Sequence, residues 1–135
     1  MWKISRSFLS VGKSLDADVT SVWNMITDTA AWTEWGPTLS KVDCAERFIK
    51  FGTQGRVKTA VGFWLPFQIT EYSDRNSWSW RIGPFNSTGH RIVKSDSRGC
   101  QLWFDTPILA APYSLACQMA LGRIERLLQC RVPGE

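Results

Sequence analysis

The chain has little of the chemistry that metal and redox centres need. It contains one histidine, His90, and four cysteines that stand far apart, Cys44, Cys100, Cys117 and Cys130. Structural zinc sites usually show cysteine or histidine pairs about two to four residues apart, and the chain has no such pair. We therefore expect no metal site and no cofactor. A disulfide framework is not expected in a chain of this length either, which leaves free thiols, mostly buried.

Long apolar runs and clustered charge are lacking as well. No apolar stretch approaches the roughly 20 residues of a membrane helix, and residues 8–12 are too short and broken for a secretion signal. The net charge is +4, with basic residues spread along the chain, which favours a solvated surface over a nucleic-acid-binding face. We expect one cytoplasmic domain over residues 1–135, with no integral membrane segment and no nucleic-acid partner. Its oligomeric state stays open.

Tryptophan is abundant by contrast, and three of the eight tryptophans lie between residues 22 and 37. Apolar residues at i, i+3, i+4 and i+7 spacing predict a first helix over residues 19–26. Asp16 or Asp18 can cap its start, because a side-chain oxygen there can accept hydrogen bonds from free backbone N–H groups.

A second, shorter helix is predicted directly after the first. Asp28 can form a turn or a new cap, and Trp32 and Trp35 then share one helical face. The pair 36–37, Gly-Pro, ends this helix, because proline disfavours helical geometry in the residue before it. Tryptophans at this density are typical of a core anchor.

Short strands joined by tight turns are predicted elsewhere. Residues 2–15 predict a first strand, and residues 39–106 alternate between apolar and polar positions, with turns at 50–53, 73–76, 83–84 and 95–99. This pattern indicates an antiparallel meander. The residues that share one side of this alternation are Val57, Thr59, Val61, Leu65, Phe67, Ile69, Trp78, Trp80, Ile82, Thr88, His90, Ile92, Lys94, Cys100, Leu102 and Phe104.

The last part of the chain predicts one long helix. It can begin at Pro107 or Pro112 and ends at residues 132–134. Its apolar stripe is Leu109, Tyr113, Cys117, Ala120, Leu121, Ile124, Leu127 and Leu128. Leu115 and Met119 widen the stripe in the first half. A lone helix with so broad an apolar face needs the sheet to pack on.

This order of elements resembles the START-like helix-grip superfamily (SRPBCC), and within it the polyketide cyclase/dehydrase-type branch. The segments that carry the resemblance are 14–23, 28–37, 52–57, 65–71 and 77–80. The resemblance implies an α+β helix-grip fold. In that fold a curved antiparallel sheet of about seven strands wraps a long C-terminal helix, and two short helices lie between strands 1 and 2.

Such a sheet cannot close completely over its helix, and the gap is typically an elongated, mostly apolar cavity. The residues expected to line it and to bind a ligand are Trp35, Phe67, Trp80, His90, Phe104, Tyr113 and Cys117. The alternative, that these side chains simply fill the core, stays open because alternating aromatics are ordinary packing.

Three residues are candidates for chemistry, and none stands in a recognisable catalytic motif. His90 could act as a general acid or base, Tyr113 could donate a hydrogen bond to a ligand carbonyl, and Asp28 could be a cavity carboxylate or a helix cap.

We therefore expect a domain that binds a small hydrophobic molecule that is lipid-, quinone- or polyketide-like. One alternative is a cyclase or dehydratase that acts on a polyketide-like carbonyl substrate in the same cavity. Another is a protein-interaction module with an exposed apolar patch at residues 64–67, a predicted loop where Trp64 could instead gate ligand access.

Overall fold

Eight antiparallel strands and three helices form the part of the chain that the computed structural model describes, residues 2–4, 8–95, 98–107 and 114–130. The strands are β1 (Trp2–Ile4), β2 (Phe8–Leu15), β3 (Leu39–Asp43), β4 (Gln54–Thr59), β5 (Trp64–Ser73), β6 (Ser77–Ile82), β7 (Phe85–Lys94) and β8 (Cys100–Pro107). The helices are α1 (Val19–Thr27), α2 (Trp32–Trp35) and α3 (Ser114–Cys130).

The strands form one sheet in the order β1-β2-β8-β7-β6-β5-β4-β3. Register shifts in β3, β5 and β6 mark bulges, which bend strands and increase their twist. Helix α3 contacts β2, β8, α1 and α2. The predicted α+β helix-grip fold is confirmed.

The first predicted strand proves to be two strands. β1 and β2 pair as a hairpin, with Trp2 opposite Val11 and Ile4 opposite Leu9. The short β1 covers the free edge of β2, where backbone groups would otherwise lack partners. Strands β2 to β8 are the seven of the predicted helix-grip sheet, with α1 and α2 after the first of them, and the short β1 adds an eighth strand among the described residues.

Alternation along β5 to β8 places the predicted apolar positions on the inner face, where Phe67, Trp78, His90 and Phe104 are buried. Val61 is the exception and is 79% exposed. Strand β4 ends at Thr59, and Val61 falls in the turn that follows, so the period of two no longer applies to it.

Helix α1 begins after Asp18, which occupies the predicted cap position. Its carboxylate accepts no hydrogen bond from the first turn, so the predicted capping bond is wrong.

The indole N–H groups of the two tryptophans of α2 are both hydrogen-bonded to the backbone of α1. Trp32 Nε1 donates to the carbonyl of Ile26 at 2.9 Å, and Trp35 Nε1 donates to that of Met25 at 3.2 Å.

Helix α3 buries a narrower stripe than its sequence predicts. Cys117, Ala120, Leu121 and Ile124 are buried, whereas Leu115 and Met119 are 65% and 53% exposed. The predicted widening of the apolar face is therefore wrong, because the sheet and α1–α2 cover one side of the helix.

The predicted positions Leu109, Tyr113 and 132–134 lie outside the described residues. Among the described helices, none is long and apolar enough to span a bilayer.

The predicted exposed loop at residues 64–67 is the first part of strand β5. Its side chains therefore alternate. Trp64 is on the outer face under the guanidinium of Arg56, 4.9 Å from the ring centre, and Phe67 is buried on the inner face. These residues do not form one exposed apolar patch, and Trp64 is not among the side chains that line the cavity described below.

Candidate functional site

A cavity of about 490 Å³ opens at one end of the sheet, where the β4–β5 and β6–β7 turns approach the end of β8. We call it the main cavity. The described residues that line it are Thr38, Leu39, Val57, Thr59, Ala60, Val61, Leu65, Ile82, Phe85, Asn86, Ser87, Thr88, Thr106 and Pro107. Val61 and Phe85 are 79% and 74% exposed, which places bulky apolar side chains at its mouth.

The described lining of the main cavity is mostly apolar, and its polar groups are uncharged. This described lining carries four threonine hydroxyls, one serine hydroxyl and the Asn86 amide, and it contains no acidic residue, lysine, arginine or histidine. Such a lining can solvate a carbonyl or hydroxyl group but offers no ion-pair partner.

A second space of about 30 Å³ lies deeper, beneath α3, and we call it the inner void. Thr38, Leu39 and Thr88 border both spaces, so the inner void lies next to the floor of the main cavity. A volume of this size can hold about one water molecule. Trp80 borders the inner void, and its buried indole N–H has no hydrogen-bond partner among the described residues.

His90 is the centre of an aromatic cluster at this floor. Its ring stacks on Trp78 with 3.8 Å between centroids, and it meets the edge of Phe104 at 4.8 Å. Trp35 and Trp80 complete the surroundings at 6.3 and 6.2 Å. Rings packed this closely around the imidazole restrict its rotation.

Burial determines the charge state of His90. Desolvation lowers its pKa to about 3, which outweighs the opposing hydrogen bond from Nδ1 to the Trp78 carbonyl and the more distant charge of Asp105. The imidazole is therefore neutral at physiological pH. A base with so low a pKa is poorly matched to proton transfer near pH 7.

A small polar group also lies at the floor. The hydroxyl of Thr106 is 3.4 Å from the thiol of Cys117, and both residues are buried. Desolvation raises the pKa of Cys117 in spite of hydrogen bonds from Thr106 and Thr88. The thiol stays protonated and acts as a weak partner for the two hydroxyls.

The structure brings together most of the predicted ligand-binding residues, but around the inner void. Trp35, Trp80, His90, Phe104 and Cys117 border that void. Phe67 packs against Trp32 and Trp80 with 5.4 and 5.7 Å between ring centres, and it lines neither space. Tyr113 lies outside the described residues. Whether any of these side chains touches a ligand stays a prediction.

Asp28 has a local structural role in the turn after α1. Its carboxylate accepts a hydrogen bond from the backbone N–H of Ala30 at 3.0 Å and two from the Arg47 guanidinium at 3.1 and 3.2 Å. It lines neither the main cavity nor the inner void. These bonds correspond to the predicted turn, whereas α2 is capped at Ala31 without a side-chain hydrogen bond.

The main cavity was missed from sequence, yet its walls follow a simple rule. Leu65 stands two residues before Phe67, Ile82 two after Trp80, and Thr88 two before His90. Because strand side chains repeat every two residues, these positions form the next layer outwards from the aromatic cluster on the same face. The large rings fill the floor, and the smaller residues of the next layer leave space.

Comparison with known proteins gives one family match. The model of the family described as "Polyketide cyclase / dehydrase and lipid transport" matches residues 1–129. A comparison with curated protein sequences finds no significant match.

Many solved structures share the fold. Protein MLL2253 from Mesorhizobium loti superposes with a TM-score of 0.72 at 11% identity, with 93% of this chain and 98% of that chain covered. Protein NE0264 from Nitrosomonas europaea gives 0.70 at 14% identity, with 94% and 97% covered. Protein Ms6760 from Mycobacterium smegmatis gives 0.69 at 15% identity, with 96% and 97% covered. At these identities the likeness concerns the fold alone.

Proposed function

The chain belongs to the polyketide cyclase / dehydrase and lipid transport family, and from that premise we propose that it binds a small hydrophobic molecule in the main cavity. The observation that carries the proposal is the cavity itself, about 490 Å³ in volume and lined mainly by aliphatic side chains and threonines. Pockets for small molecules typically measure about 300–1,000 Å³ and combine an apolar lining with a few polar groups.

The predicted ligand-binding residues enter this proposal as the floor of the site. Here His90 stacks on Trp78 and meets the edge of Phe104, and the lining residues Thr88 and Thr106 lie two residues along β7 and β8 from His90 and Phe104. A ligand would rest on this layer and remove the exposed Val61 and Phe85 side chains at the mouth from water. Burial of apolar area would then supply most of the affinity, at about 25 cal/mol per Å².

The cyclase or dehydratase alternative has less support. It needs a proton donor and a proton acceptor at the ligand. His90 is neutral, and Asp28 is bonded to Arg47 away from both spaces. The described lining of the main cavity supplies hydroxyl and amide groups alone. Binding without turnover is therefore the function we propose.

Native mass spectrometry of the protein purified from cells tests the proposal. We expect a one-to-one complex with a small apolar molecule, released on denaturation. The variant Leu65→Trp narrows the main cavity and should abolish the complex. Val93→Trp, at an exposed position of β7 outside the lining, serves as the matched control and should retain it. Equal occupancy in both variants would place the ligand elsewhere.

A further inference from the structure

The lining of the main cavity restricts the electrical charge of what can bind there. We propose that the ligand is uncharged, an apolar molecule whose polar groups are limited to hydroxyl, carbonyl or ether oxygens; this inference rests on the proposed function. Fatty acids, phosphorylated lipids and other anions are thereby excluded as preferred ligands.

The first support is the lining itself. Its described members include no acidic residue, lysine, arginine or histidine. A charge moved from water into such surroundings loses its hydration and gains no counter-charge, which is strongly unfavourable.

The second support is the direction of the neighbouring cations. Lys58 stands between Val57 and Thr59 on β4, and Arg81 stands between Trp80 and Ile82 on β6. Since the flanking residues face inwards, both cations project from the opposite face of the sheet. Arg81 donates to the Gln68 side chain there at 3.0 Å. Neither cation lines the main cavity, so an anionic head group inside it finds no cationic partner among the described lining residues.

The mouth gives no better position for an anion. Its exposed members Val61 and Phe85 are apolar, and Asn86 and Ser87 beside them are uncharged. An amphiphile that inserts its tail and leaves its head at the mouth would therefore make no ion pair with the described lining residues. Hydrogen bonds from an amide and a hydroxyl are weaker than charge-assisted bonds to lysine or arginine.

Two fluorescent probes of nearly the same shape test the proposal on the unmodified protein. N-phenyl-1-naphthylamine is uncharged, and 8-anilinonaphthalene-1-sulfonate is the same molecule with one added sulfonate. We expect the uncharged probe to bind at least about tenfold more tightly in a fluorescence titration. Equal or tighter binding of the sulfonate would overturn the inference and leave the proposed function standing. Failure of both probes to bind would overturn the proposed function and the inference with it.

A variant pair separates charge from size. Ile82→Lys places a cation at a half-buried lining position, and Val93→Lys places the same charge at an exposed position outside the lining. We expect Ile82→Lys to raise the affinity for the sulfonate relative to the uncharged probe by about tenfold or more, and Val93→Lys to leave the ratio unchanged. An unchanged ratio in Ile82→Lys, with its thermal unfolding still cooperative, would show that size rather than charge sets the preference and would contradict the proposal.

Discussion

His90 makes the stability of this protein depend on pH in a way that can be calculated. It is the sole histidine of the chain, and burial lowers its pKa to about 3 in the folded state, whereas an unfolded histidine has a pKa of 6.5. Between these values the unfolded chain binds a proton that the folded chain does not. The free energy of unfolding therefore decreases as the pH falls below about 6.5.

The free energy of unfolding should fall by about 2 kcal/mol between pH 7.5 and pH 5.0. The lower pH lies about one and a half units below the unfolded pKa, and each unit is worth about 1.36 kcal/mol. Most carboxylates titrate below this range, so the histidine dominates the change. Urea denaturation at several pH values, followed by tryptophan fluorescence, measures it directly.

The control variant is His90→Phe, which keeps an aromatic ring among Trp78, Trp35 and Phe104 and removes the titrating group. Its stability should be nearly constant between pH 7.5 and pH 5.0. A wild-type protein without this dependence, or a His90→Phe variant with the same dependence, would refute the assignment of His90 as a buried neutral imidazole.

Three further predictions concern packing and thiol accessibility. Trp35→Ala should lower the free energy of unfolding by about 3–5 kcal/mol, because the ring is buried between α1 and the floor of the cavity; a loss below about 1 kcal/mol in urea denaturation would contradict that packing. Gly12→Ala should lower the free energy of unfolding by about 1–3 kcal/mol, because the ring of Trp103 on β8 lies directly on Gly12. Gly122→Ala on α3 has free space and should leave that free energy unchanged or slightly higher. Alkylation of the folded protein at pH 7.5 should modify the exposed Cys130 quickly and Cys117 only on unfolding, because burial shields Cys117 and raises its pKa. Peptide mass spectrometry measures the order of modification, and modification of Cys117 before Cys130 would contradict the prediction.

The fold was predictable because its determinants are local and periodic. The alternation around Phe67, Trp80 and His90 and the helical spacing from Val19 to Ile26 both fix which face turns inwards. The hairpin of β1 and β2 was not recognised, because its pairing of Trp2 with Val11 depends on an edge that the sequence does not mark.

The face of the sheet that carries the site was predictable, but the position of the cavity along that face was not. The period of two places Trp80, His90 and Phe104 on the inner face, but it does not say which layer is filled and which is empty. Side-chain volume makes that difference, since rings pack together and leave space beside smaller residues such as Leu65 and Thr88. The low pKa of His90 was likewise beyond the sequence, because it arises from four rings that meet through tertiary packing.

Methyl NMR of the protein titrated with N-phenyl-1-naphthylamine tests the central claim most directly. If an uncharged apolar molecule binds in the main cavity, the methyl resonances of Leu39, Leu65 and Ile82 should shift in a saturable, one-to-one manner, while that of the exposed Val93 stays in place. Shifts confined to Val93 and other residues outside the lining, or none at saturating probe, would contradict the claim.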